Sequence, residues 1–124
     1  MLEAAMSIAR AKRRLRRRSL AFNVRRIEQL KTLTVPEVRR AAEGEREAVA
    51  AAFAAAGRLT ATLDECLALS FAMARHCLSR RLDAQLSIGV KLRPFEAHAW
   101  VSVEGMVMSD RLDNVRPFKT ILLV

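Results

Sequence analysis

The sequence predicts an α+β protein in which a helical first part is followed by a small antiparallel sheet. Up to about residue 81, apolar residues recur at helical spacing in segments that are separated by capping residues and glycine. From about residue 83, short runs alternate between apolar and polar residues and are separated by turn residues. Helices followed by consecutive strands are typical of the α+β class.

The chain of 124 residues has the length of one domain. A domain of this size buries roughly two thirds of the surface that its unfolded chain exposes, and it therefore needs no disulfide or metal ion to fold. We predict one domain over residues 1–124, with a helical, basic part at 1–60 and a core at 61–124 that holds the candidate site.

The net charge of +9 is confined to the first third of the chain. Residues 1–40 contain 12 basic and 3 acidic residues, whereas the remainder contains 10 of each. The simplest interpretation is a solvated helix face. The alternatives are a docking surface for an acidic protein partner, a membrane-surface helix and a nucleic-acid patch. No aromatic residue interleaves the arginines and the rest of the chain is neutral, so we expect neither nucleic acid nor a membrane surface as the partner.

The two cysteines, Cys66 and Cys77, lie 11 residues apart in one predicted helix. This spacing separates them by about 16 Å along the axis, beyond the reach of a disulfide. We therefore expect reduced thiols and a cytoplasmic protein. The longest apolar run, Ala48 to Ala56, is about half a membrane span, and no apolar signal segment follows the arginine-rich start.

Three helical segments are predicted before residue 60, and we interpret them as scaffold. Serine at an N-cap, a capping box with proline in the first turn, and glycine at a helix end mark their limits. Their expected extents are 1–18, then 20–33 after Ser19, and then a helix from Thr34-Val35-Pro36-Glu37 that bends or breaks near Gly44, resumes over 45–56 and stops at Gly57.

A fourth helix is predicted from the capping box at Thr62-Leu63-Asp64-Glu65 to about Arg81, and it is apolar on most sides. If Thr62 is the N-cap, the Cys66 amide enters the helical ladder; if Asp64 is the N-cap, that amide stays free. We favour a start close enough to Cys66 for the helix dipole to act on the sulfur.

Four strands are predicted after this helix, in an antiparallel meander. Alternating apolar residues and turn residues indicate strands over 83–90, 97–103, 106–110 and 118–124, with a proline-containing connection at 91–96 and a turn at Glu104-Gly105. Gly89 interrupts the first strand and indicates either a weak point or a close approach of another group.

Cys66 and His98 are the candidate reactive pair. A thiol at a helix N-terminus beside an imidazolium is deprotonated more easily, which suits Cys66. Cys77 lies about three turns further along and is expected to be core. His76 lies about 15 Å from Cys66 along the same helix and cannot be its base. By elimination, His98 is the candidate base.

Asp110 is the candidate carboxylate that orients His98. A two-residue Glu104-Gly105 loop would pair His98 with Arg111 and turn Asp110 away. A three-residue Val103-Glu104-Gly105 loop would instead set Asp110 opposite His98, with Cβ atoms about 5 Å apart. We predict the three-residue loop. Glu104 and Asp113 are rival carboxylates, expected at the solvated turn and in the following loop.

These residues belong to a pattern that resembles a known family. The pattern comprises Cys66-Leu67-Ala68, Ile88-Gly89-Val90, Pro94-Phe95-Glu96-Ala97-His98-Ala99-Trp100-Val101, Gly105 and Asp110. It resembles the leader peptidases of lasso peptide biosynthesis, a branch of the transglutaminase-like, papain-related cysteine protease superfamily. The resemblance spans roughly residues 60–124. Leu69 stands where arginine is frequent, and Leu82-Asp83 replaces a glycine expected after Arg80-Arg81.

The resemblance implies a papain/transglutaminase-like core, in which the helix that bears the cysteine packs on a small antiparallel sheet. It also implies a catalytic triad of Cys66, His98 and Asp110, with no cofactor and no metal ion. The implied substrate is a ribosomally made lasso precursor peptide whose leader is removed. The implied partners are a separate leader-binding recognition protein, since the chain is too short to include that domain, and an ATP-dependent cyclase that uses the freed amine.

Two other functions are compatible with the same residues. One is acyl transfer or amidation by the same triad on a different substrate. The other is a non-catalytic adaptor that binds a partner through its basic helices. Rapid alkylation of Cys66 at mildly acidic pH would indicate an enzyme, whereas an inert Cys66 would indicate the adaptor.

Overall fold

The computed structural model describes residues 2–57, 65–110 and 112–124. It has the predicted α+β class, with helices that precede a four-stranded antiparallel sheet. The elements are α1 (Leu2–Arg17), α2 (Leu20–Thr34), a 3₁₀ turn (Val35–Glu37), α3 (Glu45–Gly57), α4 (Glu65–Ser79), β1 (Ala84–Leu92), β2 (Phe95–Val103), β3 (Met106–Val107), α5 (Leu112–Val115) and β4 (Lys119–Leu123).

The first two helices agree closely with the sequence prediction. Ser19 is the N-cap of α2, and its hydroxyl accepts a hydrogen bond from the Phe22 amide at 3.1 Å. Both helices pack on α4 through apolar side chains such as Ile8 and Ile27, which are buried in the same hydrophobic cluster as α4 and the sheet. Among the residues that the structure describes, no helix is both long and apolar enough to cross a membrane.

The predicted third helix is wrong in its first half. Thr34 does not cap a helix there, because its hydroxyl donates to the carbonyl oxygens of Leu30 and Leu78. Only one 3₁₀ turn forms, and α3 then starts at Glu45. Glu45, the first residue of α3, accepts from the Ala42 amide at 2.9 Å and pairs with Arg39, so its carboxylate ties the start of the helix to the preceding segment.

Helix α4 is the centre of the core. The predicted capping residues Thr62, Leu63 and Asp64 lie outside the described residues, and the helix runs from Glu65 to Ser79. Its apolar residues face both the N-terminal helices and the sheet, which is why the pattern is hydrophobic on most sides. The fully buried ones include Ala72, Met73, Ala74 and Cys77. The prediction that Cys77 is core is correct, and burial raises the pKa of its thiol to about 11.

The sheet has the strand order β3-β2-β1-β4, so the predicted meander is wrong. β4 does not pair with β3; it crosses to the far side and pairs antiparallel with β1. Val115 of α5 and Trp100 of β2 are buried outside the main cluster, and Trp100 points to the sheet face opposite that of Val101, which lies in the cluster. These two residues indicate a second, smaller apolar region.

Both hairpin turns are tighter than predicted. The predicted connection 91–96 shrinks to Arg93-Pro94, because Leu92 pairs with Phe95. The predicted three-residue loop is also wrong, since Val103 pairs with Met106 and leaves Glu104-Gly105 as the turn. Both turn residues have positive φ, 51° and 80°, as a type I′ turn requires. Glu104 tolerates this conformation where its carboxylate accepts from the Ala41 amide at 3.2 Å.

Gly89 is a point of close approach, one of the two possibilities that the sequence indicated. A Cβ atom there would lie 2.8 Å from Cη2 of Trp100 and 3.0 Å from the carbonyl oxygen of Lys119. Trp100 therefore covers the glycine and occupies the space that a side chain would need.

We expect Gly89→Ala to lower the free energy of unfolding by about 1–3 kcal/mol, because the added methyl group overpacks this contact. Urea denaturation measures the change as a shift of the midpoint. Gly57→Ala is the matched control, since a Cβ there would meet only the Leu69 methyl groups at 3.8 Å. Equal midpoints for the two variants would contradict the close approach at Gly89.

Candidate active site

Cys66 is the second residue of α4. Amide groups in the first turn of a helix have no partner within the helix, and the helix dipole places partial positive charge there. Cys66 is only partly buried. The side chain is therefore accessible and lies in a local field that favours a negative charge on sulfur.

The first turns of α4 contact the edge of β2. β3 ends at Val107, so only Ser102 and Val103 of β2 pair with it. Nearer the start of β2, the main chain of Ala99 faces the same edge as that of Val101, because alternate residues of a strand point their backbone groups to the same side. Ser70, one turn after Cys66, donates its hydroxyl to the Ala99 carbonyl oxygen at 3.0 Å. This hydrogen bond fixes α4 beside the strand that carries His98.

His98 lies between Cys66 and Asp110. Its Nε2 atom is 2.5 Å from Oδ2 of Asp110, and the two side chains are only 19% and 20% exposed. Oδ1 of Asp110 accepts a hydrogen bond from Nδ2 of Asn114 at 2.8 Å. The imidazole ring also contacts Trp100 and Phe118, with ring centroids 6.0 Å and 5.3 Å apart. The ring is thus held by a carboxylate and by aromatic neighbours, and Nδ1 is left for the thiol.

The hydrogen bond between Cys66 and His98 shifts the pKa values of both groups. For the thiol, this bond lowers the pKa, burial opposes the shift, and hydrogen bonds with the backbone of Ala99 and Leu67 lower it further. For the imidazole, the bond to Cys66 raises the pKa, burial opposes it, and the bond to Asp110 raises it again. Both directions favour a thiolate beside an imidazolium ion.

The structure brings together Cys66, His98 and Asp110, although the predicted hairpin register is wrong. Asp110 does not reach His98 from a paired strand, because β3 has already ended. It lies instead at the start of the segment that crosses the sheet on the His98 face. Glu104 lies at the exposed turn and contacts the Ala41 amide, as expected of a surface residue. The side chain of Asp113 lies outside the described residues.

Two contributors were missed by sequence reasoning. The sequence pattern singled out neither Ser70 nor Asn114. A helical signal existed for Ser70, which lies four residues after Cys66 and so on the same face. Asn114 likewise lies four residues after Asp110, but the short helix α5 to which Asn114 belongs has no clear sequence pattern.

Pockets lie on both sides of the His98–Asp110 pair. The first has a volume of about 390 Å³, and Cys66 is in its wall. The second has a volume of about 370 Å³ and is bordered by Lys91, Glu96 and Phe118. An extended chain bound across the His98–Asp110 pair would thus have space on both sides of that pair. Within the described part of the chain, no group of three or more His, Cys, Asp or Glu side chains is arranged to hold a metal ion.

A family model described as the transglutaminase-like superfamily matches residues 5–123, which is nearly the whole chain. The chain belongs to the transglutaminase-like superfamily. The match includes most of α1 and all of α2 and α3, so these helices are part of the transglutaminase-like region, whereas the sequence resemblance had covered only residues 60–124.

A curated relative is the microcin J25-processing protein McjB of Escherichia coli, which is 48% identical over 46 residues. These residues make up 37% of this transglutaminase-like chain and 22% of the relative. The match therefore spans about a fifth of the length of that protein. No solved structure matches the chain.

Proposed function

We propose that the chain is a cysteine endopeptidase that removes the leader from a ribosomally made lasso precursor peptide. The observation that carries the proposal is the series of contacts from Cys66 through His98 to Asp110. It supports a reactive thiolate at a helix N-terminus with an oriented imidazolium beside it. The class of substrate is suggested by the similarity to a protein named for the processing of microcin J25.

In the proposed first half-reaction, the Cys66 thiolate attacks the scissile carbonyl carbon. The amide groups at the start of α4 point towards the developing oxyanion and stabilise it. As the C–N bond breaks, the His98 imidazolium gives its proton to the leaving amine. The products are a free amine and a thioester between the leader and Cys66.

In the proposed second half-reaction, neutral His98 takes a proton from a water molecule as its oxygen attacks the thioester. The bond to sulfur then breaks, which releases the leader as a carboxylic acid and restores the thiolate beside the imidazolium. The acid then loses its proton to the solvent. Asp110 accepts the hydrogen bond from Nε2 throughout and so keeps Nδ1 directed at Cys66.

The test is incubation of the chain with a lasso precursor, alone and with a separate leader-binding protein, followed by mass spectrometry. The proposal expects two fragments whose masses add up to the precursor plus one water. Incorporation of an added amine in place of water would indicate an acyltransferase instead, which the same thioester permits. No product under either condition, together with an inert Cys66, would favour the adaptor function.

We expect Asp110→Asn to retain part of the cleavage activity. The amide cannot hold the imidazolium as a carboxylate does, but the nucleophile and base remain. The loss of kcat/KM should be smaller than for removal of the nucleophile by roughly one to two powers of ten. Progress curves with a peptide that spans the cut site measure it.

The matched control for Asp110→Asn is Glu104→Gln. This carboxylate lies at the β2–β3 turn, one hairpin away from His98, and we expect normal cleavage in the variant. If Asp110→Asn cleaves as fast as the unchanged protein, Asp110 does not orient His98 in the reaction.

A further inference from the structure

One flank of α1 connects the Cys66 pocket to a strongly basic surface. Ile8 lines that pocket together with Cys66 and Leu69. Residues four and eight positions after Ile8 are Lys12 and Arg16, and this spacing places all three along one side of the helix. The row therefore leads from the apolar pocket outward to positive charge.

The basic surface is itself a depression. Ala9 follows Ile8 directly and lines a hollow of about 360 Å³. The other residues of this hollow are all cationic, and we call them the cationic face of α1: Lys12, Arg13, Arg16 and Arg17. A hollow lined by apolar Ala9 and by four cationic side chains is suited to binding a peptide that carries carboxylates.

Most of the positive charge of this surface belongs to exposed arginines. Arg13, Arg16 and Arg17 are exposed, and among the described residues none of the three pairs with a carboxylate. On the opposite flank of α1, Arg14 adds to the crowding of like charges. Its pKa is lowered by partial burial and by the proximity of Arg10 and Arg26. Such a surface attracts an acidic ligand over a distance and binds it more strongly at low salt.

The length of α1 between Ile8 and Arg16 indicates how far from the Cys66 pocket that ligand would bind. Eight residues of helix from Ile8 to Arg16 span about 12 Å. An extended peptide rises about 3.3 Å per residue, so about four residues cover the same distance. Ile8 lines the Cys66 pocket, and we take it as the point where a peptide held at Cys66 leaves that pocket. A peptide that follows this flank of α1 from there places its acidic residues about three to five positions from the scissile bond.

We propose that the cationic face of α1 binds an acidic segment of the peptide substrate, three to five residues from the bond that is cut. This inference rests on the proposed function, because it assumes that a peptide occupies the Cys66 pocket. The continuity between that pocket and the cationic face favours the substrate over a separate acidic protein as the occupant. The surface would supply selectivity that the two small pockets at the His98–Asp110 pair cannot.

The test compares two variants of equal charge. Arg13→Gln with Arg16→Gln alters the cationic face, whereas Arg25→Gln with Arg26→Gln removes two arginines from α2. The cleavage of two peptides is measured with each double variant. The peptides differ only in having glutamate or glutamine three to five residues from the cut. For the glutamate peptide, the α1 variant should raise KM roughly 3- to 30-fold at low salt, as two exposed charge contacts allow. The α2 variant should leave KM unchanged, and neither should alter cleavage of the glutamine peptide.

A binding measurement separates this proposal from the proposed function. Fluorescence anisotropy of the labelled glutamate peptide with Cys66→Ala protein needs no cleavage. The peptide should bind more weakly after the α1 substitutions and more weakly as salt rises. If both double variants weaken binding equally, or if neither does, the cationic face is only a solvated surface. Binding only when a leader-binding protein is added would assign it to that partner instead.

Discussion

Cys66→Ala is expected to abolish cleavage of the precursor while the protein stays folded. Without the sulfur no thioester can form, and loss of an activated nucleophile lowers kcat by roughly 10³-fold or more. Mass spectrometry of the precursor after a long incubation measures the remaining activity. The side chain is only partly buried, so its replacement by alanine should change the unfolding midpoint little.

The control is Cys77→Ala, which removes the other thiol of the chain. Cys77 is fully buried in the core, and the loss of its sulfur should cost some stability but leave cleavage in place. Cleavage by Cys66→Ala at the rate of the unchanged protein would end the peptidase proposal.

His98→Ala is expected to have the second largest effect, a loss of kcat/KM of roughly 10²- to 10⁴-fold. It removes both the base and the strongest influence that lowers the pKa of Cys66. Burial, which raises that pKa, would then act unopposed by the imidazole. The thiol of the variant should therefore be protonated at a pH where that of the unchanged protein is already thiolate.

Alkylation by iodoacetamide measures this change directly in a Cys77→Ala background. The unchanged site should keep its reactivity as pH falls below the usual pKa of a thiol, because the pKa of Cys66 is lowered. In His98→Ala the drop in reactivity should move to higher pH. The comparison variant is His76→Gln, since His76 contacts Phe53 and Glu3 rather than Cys66. Identical pH profiles for His98→Ala and the unchanged protein would show that His98 does not activate the thiol.

The sequence was most informative where local chemistry decides the structure. Ser19 caps a helix in most surroundings, and the apolar pattern from Cys66 to Leu78 suits only a buried helix. The positive φ at Gly105 was predictable for the same reason, because glycine adopts it at little cost. The nomination of Cys66, His98 and Asp110 also came from the sequence.

The sequence was less informative where distant segments compete for the same hydrogen-bonding groups. Thr34 is a good helix cap by type, yet the Leu78 carbonyl oxygen takes its hydroxyl. Glu104 is an unusual residue at positive φ, and the Ala41 amide from another part of the chain contributes to its conformation. These contacts are not encoded at any fixed spacing, so a local pattern cannot reveal them.

The sequence alone thus determined that helices precede the strands and that a cysteine lies at the start of a buried helix. Only the tertiary structure decided how His98 meets its neighbours. β3 ends early and the following segment crosses the sheet to pair β4 with β1, which carries Asp110 and Asn114 onto the His98 face. The same early end leaves the β2 edge open to Ser70 and so to the start of α4. Strand order and edge occupancy depend on packing of the whole chain, which no run of neighbouring residues specifies.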